Sequence, residues 1–325
     1  MNYDSFYFKK LINKPINNLI NIIIDCVHKL SPIKNDLFRR NTKYTIKDYA
    51  IGIIDVMKNH TSWNSYNGLI KGDTLRKKHS EWVKLGIYDD VYKTSLKKYL
   101  KTTKPTEEFK YQSIDSTFIQ ELQKFLVPEK FFRSLRDFWK FNFQKSEDIN
   151  GSKYASYSGI YKHRKGESSK GIKITSIVIT EGIPISVGID PGNRYDSPIL
   201  PKAINNLVIN CNTKKYAKHN RFKQYFLADS GYDSKNNQKI LKKKGYIPLI
   251  VQNKKNIKNE SLIREFNIKQ AKIYKKRIKI ENYHSWIKKF KKIKCLYEHN
   301  ISNYYGLLMV AISVIINRRI INNKT

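Results

Sequence analysis

Residues 224–251 read QYFLADSGYDSKNNQKILKKKGYIPLIV, and this stretch decides the fold class of the chain. A short apolar run ends at Asp229, a turn containing Gly231 and a helix-like segment follow, and residues 247–251 form a second apolar run. Strand, turn, helix and strand in this order are typical of an α/β sheet with helices packed on it. Because such sheets place functional groups at the carboxyl ends of their strands, Asp229 is a candidate metal ligand.

The chain before this stretch is also rich in β-forming residues. Residues 111–118 are predicted to form a strand. Two further runs, 172–180 and 183–189, are joined at Glu181-Gly182, which predicts a hairpin. The sequence therefore predicts an α/β fold with a mixed sheet flanked by helices.

A second candidate carboxylate, Asp115, lies within the first predicted strand. Strand alternation places Ser113, Asp115 and Thr117 on one face. A carboxylate among apolar strand residues is costly to bury unless it is paired or binds a cation. Asp115 is therefore also a candidate metal ligand, although an aspartate at position 115 or 229 can equally serve structure alone.

A third candidate, Glu281, lies in residues 269–292, which are predicted to form one long helix. Tyr274, Arg277, Glu281 and Lys288 are spaced by three, four and seven residues, so they fall on one helical face. The apolar residues that gather on a different face, where they would pack on the sheet, are Ile273, Ile280, Ile287, Phe290 and Ile293. The alternative is a solvated helix with an Arg277–Glu281 ion pair, which stabilises by only ~0.3–0.5 kcal/mol.

The three carboxylates suggest metal-dependent chemistry on phosphodiesters. Convergent carboxylates can hold two Mg²⁺ or Mn²⁺ ions about 3.5–4 Å apart, one activating the attacking oxygen and the other stabilising the leaving oxygen. The basic and hydroxyl groups on the same helical face would then contact DNA phosphates. The sequence contains no GxxxxGK[ST] loop, so the chemistry does not require a nucleoside triphosphate.

The charge of the chain favours a nucleic-acid partner. It carries 63 Lys plus Arg against 27 Asp plus Glu, a formal net charge of +36. Such a charge attracts polyanions through counterion release. The alternative is that codon bias in an AT-rich genome supplies part of the lysine excess.

Cysteine usage and hydropathy predict a protein that works inside the cell. Cys26, Cys211 and Cys295 are widely separated and odd in number, which fits neither a disulfide framework nor a CxxC metal site. The longest apolar run, residues 306–316, is shorter than the ~18–20 residues that span a bilayer. We therefore expect a soluble, DNA-associated protein and no membrane partner.

The N-terminal third is predicted to be helical. Apolar residues recur at helical spacing in residues 16–30, 44–57, 73–85 and 89–100. Asp73 is placed to cap the third of these helices. Residues 101–110, with Pro105, are predicted to be a linker.

The third of these helices is a candidate for DNA recognition. Arg76, Lys77 and Lys78 lie near its start, and Trp82 and Leu85 are suited to packing inward. An ordinary basic surface helix is the alternative interpretation.

At this point the residues resemble a known family, the DDE transposases of bacterial insertion sequences, in the branch formed by the family-four and family-five elements. The motif Tyr274-x2-Arg277-x3-Glu281-x6-Lys288 matches the Tyr-Arg-Glu-Lys signature of that branch in residue type and spacing. Residues 114–117 and 228–234 are similar to the segments that carry the first and second catalytic aspartates. Residues 165–171 and 191–197 resemble its glycine-rich and Asp-Ser segments, and the likeness covers roughly residues 70–320.

The resemblance implies both a site and a reaction. It implies that Asp115, Asp229 and Glu281 hold two Mg²⁺ or Mn²⁺ ions and are catalytic, and that DNA is bound by Tyr274, Arg277, Lys288, Arg76, Lys77 and Lys78. The implied enzyme cleaves double-stranded DNA at terminal inverted repeats and joins the ends to target DNA. Two protomers would hold the two ends, so we expect a homodimer on DNA.

The resemblance also implies the domain organisation. A helical DNA-binding region would span residues 1–105, and an RNase H-like catalytic domain would span residues 106–325. Two departures from the family are Ser230, where a basic residue is common, and the weakly basic Glu167-Ser168-Ser169. Only about 52 residues separate Asp229 from Glu281, so no large insertion is expected there.

Three other functions fit part of the sequence. A non-catalytic DNA-binding protein descended from a transposase would keep the basic surface without cutting DNA. A nuclease would use the same carboxylates without joining ends. A ribosomal-type RNA-binding protein would explain the charge but not the Tyr-Arg-Glu-Lys stripe.

Overall fold

The computed structural model describes residues 13–30, 43–121, 158–162, 168–209, 223–254, 265–298 and 300–323. Three features of the sequence analysis lie outside these residues: most of the first 40 residues, Cys211, and the glycine-rich segment up to Glu167. Cys26 and Cys295 are both free thiols.

A mixed six-stranded sheet forms the centre of the C-terminal two thirds of the chain. Its strands are β1 (Tyr111–Gln120), β2 (Gly159–Lys162), β3 (Ser168–Val178), β4 (Pro184–Pro191), β5 (Tyr225–Ala228) and β6 (Ile247–Ile250). β3 pairs antiparallel with β1, β2 and β4, whereas β5 pairs parallel with both β1 and β6. The order from β3 through β1 and β5 to β6, with helices around it, is the RNase H-like arrangement that the sequence predicts.

The helices lie around this sheet and before it in the chain. They are α1 (Lys14–Leu30), α2 (Ile46–Asn59), α3 (Gly72–Lys84), α4 (Ile87–Leu100), α5 (Pro105–Glu108), α6 (Ile199–Asn205), α7 (Lys235–Lys243), α8 (Ile268–Tyr274), α9 (Ile278–Ile287), α10 (Lys291–Lys294) and α11 (Ile301–Asn322). The four predicted N-terminal helices are confirmed to within a few residues.

The predicted hairpin is confirmed and turns at Gly182. β3 and β4 pair from Ile172 with Pro191 to Val178 with Pro184. Gly182 has a φ of 78°, a conformation that a residue with a Cβ adopts only at a cost in energy. The amide of Gly182 also donates to the carbonyl of Ile179 at 2.8 Å, which closes the turn.

Two local predictions are wrong. The predicted long helix over residues 269–292 is interrupted by a 3₁₀ turn at Lys275–Arg277, and its second α-helical part ends at Ile287. Asp73 does not cap α3, because the cap is Lys71 without a side-chain bond; Asp73 lies in the first turn and pairs with Arg76 at 3.2 Å. The linker around residue 105 contains the one-turn helix α5.

The helices α1 to α4 and the last helix, α11, form the helical half of the protein, and α11 is its core. It packs against α4 and α1, and all its residues from Gly306 to Asn317 are buried. At 22 residues it is longer than the apolar run within it, and by length and composition it could cross a membrane. In its most apolar window, 78% is buried inside the protein. The core helix of a globular protein shows the same property.

A buried polar cluster joins the helical half to the segment before α11. The Nζ of Lys292 donates to Oε1 of Glu298 at 2.6 Å, and the indole of Trp63 donates to the same oxygen at 2.8 Å. Lys292 also lies over the Trp63 ring, 5.3 Å from its centroid. Nearby, burial lowers the pKa of His79 to about 4, so this imidazole is neutral at physiological pH.

We predict that this buried pair stabilises the junction through its charge balance. Glu298→Gln leaves the Lys292 ammonium buried without a counter-charge, and breaking such a pair costs about 3–5 kcal/mol. The control is Glu265→Gln, which removes one carboxylate from an exposed pair with Lys254 and should cost less than ~1 kcal/mol. Urea unfolding of both variants measures the difference, and equal losses would contradict the prediction.

Candidate active site

The parallel pair of β1 and β5 places two of the predicted carboxylates side by side. Ser113 on β1 is the register partner of Leu227 on β5. Two residues further along each strand stand Asp115 and Asp229, which therefore share one face of the sheet. Asp229 directly follows β5 and caps the next 3₁₀ turn by accepting from the Gly231 amide at 2.9 Å.

The third carboxylate, Glu281, comes from α9, which crosses this face of the sheet. One guanidinium, that of Arg277, holds the three acids together. Its Nη2 donates to Oδ2 of Asp115 at 2.6 Å, and its Nη1 donates to Oε1 of Glu281 at 2.9 Å. The same Nη2 is 4.0 Å from Oδ2 of Asp229. The structure thus brings all three predicted carboxylates around one arginine.

Burial makes the acids of this cluster unequal. The side chain of Asp115 is 19% exposed, whereas those of Asp229 and Glu281 are 41% and 51% exposed. Burial raises the pKa of Asp115 to about 6, although Arg277 and the Ser116 amide oppose the shift. For Arg277, burial acts to lower the pKa, but the surrounding carboxylates raise it by more, so the guanidinium stays charged.

The chemistry of these donors fits a hard divalent cation. Carboxylate oxygens are the ligands that Mg²⁺ and Mn²⁺ prefer. In the described residues, however, no three His, Cys, Asp or Glu side chains are placed to hold a metal ion. Arg277 lies among the three acids and contacts their oxygens. A bound cation would therefore have to take over oxygens that Arg277 now contacts.

The two other members of the stripe differ in their distance from the acids. Tyr274 precedes the 3₁₀ turn, and its ring packs on that of Phe266 with the centroids 5.1 Å apart. Burial raises the pKa of Tyr274, so its hydroxyl remains a hydrogen-bond donor. The charge of Arg277 lowers the pKa of Tyr274, and that of Asp229 raises it. Lys288 is the C-cap residue of α9, about two turns beyond Glu281, and burial lowers its pKa. In the part of the chain that the structure describes, Lys288 makes no ion pair.

The predicted DNA-recognition residues lie on α3, away from the sheet. Its inner face buries Leu75, His79 and Trp82. Arg76 and Lys77 are exposed, although Arg76 pairs with Asp73. Lys78 pairs with Glu81 at 2.7 Å and lies over the Tyr49 ring. Arg76 and Lys77 are therefore more accessible to a phosphate than Lys78 is.

A fourth acid, Asp196, joins the cluster and was missed as a site residue. Its Oδ1 accepts from Nζ of Lys173 at 2.9 Å. A Cβ built on Gly231 would lie 3.1 Å from both Oδ2 of Asp196 and Oδ1 of Asp229, so these two carboxylates flank the same glycine. The negative charge of Asp196 contributes to the raised pKa of Asp115. The one signal in the sequence was the Asp-Ser resemblance of residues 191–197.

One comparison with known proteins found a match. A family model described as the transposase DDE domain matches residues 112–316, a range that contains Asp115, Asp229 and Glu281. Proteins of this family usually use divalent metal ions and act on DNA. No curated protein and no solved structure matches the chain.

The position of Arg277 predicts competition between its guanidinium and a metal ion. Arg277→Gln removes the cation that the acids now share, so Mg²⁺ should bind the variant about tenfold or more tightly, adding ~1.4 kcal/mol of stabilisation at saturating Mg²⁺. Thermal unfolding with and without Mg²⁺ measures this gain. Lys288→Gln, the matched control, should respond as wild type. A Mg²⁺ response that is largest in wild type would contradict the competition.

Proposed function

Because the chain belongs to the transposase DDE domain family, we propose that it cleaves DNA at the ends of a mobile element and joins those ends to target DNA. The observation that carries the proposal is the meeting of Asp115, Asp229 and Glu281 around Arg277. These acids come from two strands and a helix that are far apart in the chain. A cluster of like charges is costly to build, which favours a role for it in binding cations.

We assign the three acids as ligands of two Mg²⁺ or Mn²⁺ ions. When bound, the ions supply a Lewis acid for the attacking oxygen and another for the leaving oxygen. The acids fix where the ions stand, because β1 and β5 are held in register by the sheet. Asp196, paired with Lys173, adds negative charge at the edge of this set.

The same helical face supplies the groups that bind the DNA backbone. With cations on the carboxylate oxygens, the Arg277 guanidinium would be free to make a two-pronged contact with a phosphate. Tyr274 can donate its hydroxyl to a neighbouring phosphate oxygen. Lys288, with no competing acid among the described residues, can neutralise a phosphate further along the strand.

The helical half would hold the terminal inverted repeats while the sheet carries out the chemistry. We keep the division into a DNA-binding region of residues 1–105 and a catalytic domain of residues 106–325, with α11 as the helix of the second that packs into the first. Arg76, Lys77 and Lys78 on α3 are the proposed contacts to the ends. Two protomers would hold two ends, and the protein would work inside the cell, at the DNA. Whether it belongs to the family-four and family-five branch stays a prediction.

Cleavage of a supercoiled plasmid that carries the gene with its native flanks tests the proposal. We expect Mg²⁺-dependent cuts at the flanks with wild type, and at least ~100-fold less with Asp229→Asn or Glu281→Gln, since even the loss of a group that only supports a metal ligand costs about 10–100-fold. Glu265→Gln is the matched control and should cut normally.

The products separate the possible activities. Joined products alongside the cuts support a transposase, whereas cuts without joining point to a nuclease. DNA binding by wild type without Mg²⁺-dependent cutting would contradict the catalytic proposal and support the non-catalytic DNA-binding protein.

A further inference from the structure

A basic groove lies beside the active site, where β1 and β5 begin. It has a volume of about 660 Å³ and is lined by residues of the α5 region, both strands and α8. Five of its lining residues are the lysines Lys110, Lys223, Lys269, Lys272 and Lys276. All five are exposed, and none forms an ion pair within the described ranges. Glu107 is its one acidic lining residue and already pairs with Lys104 at 3.7 Å.

The floor of the groove is aromatic. Tyr111 and Tyr225 are register partners at the start of β1 and β5, and their rings stack with centroids 5.9 Å apart. Lys110 lies over the Tyr111 ring at 5.5 Å, which holds one ammonium at the rim. Lysines around tyrosine hydroxyls are the groups that contact DNA phosphates and sugars in protein–DNA interfaces.

The groove and the carboxylate cluster lie on the same face of the sheet. Tyr111 and Asp115 are four residues apart on β1, and Tyr225 and Asp229 are four residues apart across the end of β5. At about 3.3 Å per residue, both pairs span about 13 Å. The groove and the carboxylate cluster are also adjacent in the segment that packs over the sheet. Lys276 lines the groove, and the next residue, Arg277, contacts the acids.

We propose that this groove binds the backbone of duplex DNA flanking the bond that is cut. The spacing supports this occupant, because about 13 Å along a duplex corresponds to about four base pairs at ~3.4 Å each. A phosphate at the carboxylate cluster would thus place phosphates of the same duplex over the lysines. The position relative to the cut bond rests on the proposed function, whereas binding in the groove does not.

Salt dependence of duplex binding tests the groove without requiring catalysis. Each phosphate contact contributes about 0.9 to the slope of log K against log salt. The triple variant Lys110→Gln, Lys223→Gln and Lys272→Gln should therefore lose up to about 2.7 from the slope, measured without metal on a duplex of unrelated sequence. The matched control replaces Lys239, Lys242 and Lys243 of α7, which are also exposed and without ion pairs among the described residues. Equal losses in the two triples, or a loss with single-stranded DNA alone, would overturn the proposal.

Chemical protection of the wild-type protein gives a second readout that needs no variant. Acetylation of lysines with and without duplex DNA, followed by mass spectrometry, should show protection of Lys110, Lys223 and Lys272 and less protection of the α7 lysines. Groove lysines that stay fully reactive on bound DNA would overturn the proposal. A chain that fails to cut the plasmid but shows the protection would separate failure of the proposed function from failure of the groove.

Discussion

The parallel pairing of β1 with β5 is the constraint on which the rest of the site depends. It brings together two segments more than a hundred residues apart and aligns them residue by residue. Because side chains alternate along a strand, one register sets two features on one face: the stacked Tyr111 and Tyr225 at one end, and Asp115 and Asp229 at the other. A slip of β5 by one residue against β1 would turn Tyr225 and Asp229 to the opposite face, away from Tyr111 and Asp115.

The electrostatics of the site follow from that register. Burial removes hydration from Asp115, and the nearby Asp229 and Asp196 carboxylates repel it, so its pKa rises to about 6. Arg277 offsets this cost by contacting Asp115 and Glu281 directly. In the proposed site, Arg277 would occupy the position that cations take when they bind. On the proposed function it would change partner from carboxylate to phosphate in the DNA complex, a change of low cost because both present paired oxygens.

Local patterns predicted local structure well. The hairpin around Gly182 follows from turn chemistry, and the helical segments that carry Tyr274 and Glu281 follow from helical periodicity. The 3₁₀ turn that breaks this helix at Lys275–Arg277 could not be predicted, since the contact between Arg277 and Asp115 joins residues far apart in the chain.

Features that depend on distant contacts were missed for the same reason. Lys292 is one of many lysines in its segment, and only the approach of Trp63 and Glu298 marks it as buried. Asp196 and Asp229 flank the same glycine, Gly231, a proximity that no spacing in the sequence shows. The basic groove likewise exists only once β1, β5 and α8 are assembled.

The central claim is that acids from β1, β5 and α9 form one divalent-cation site. Fe²⁺ in place of Mg²⁺ tests it directly, because with ascorbate and peroxide the bound ion produces hydroxyl radicals that cut the nearest backbone. The account predicts fragments ending near residues 115, 229 and 281 in the same reaction, all suppressed by excess Mg²⁺. Fragments near other acids only, or cutting at these three positions that Mg²⁺ does not suppress, would contradict it.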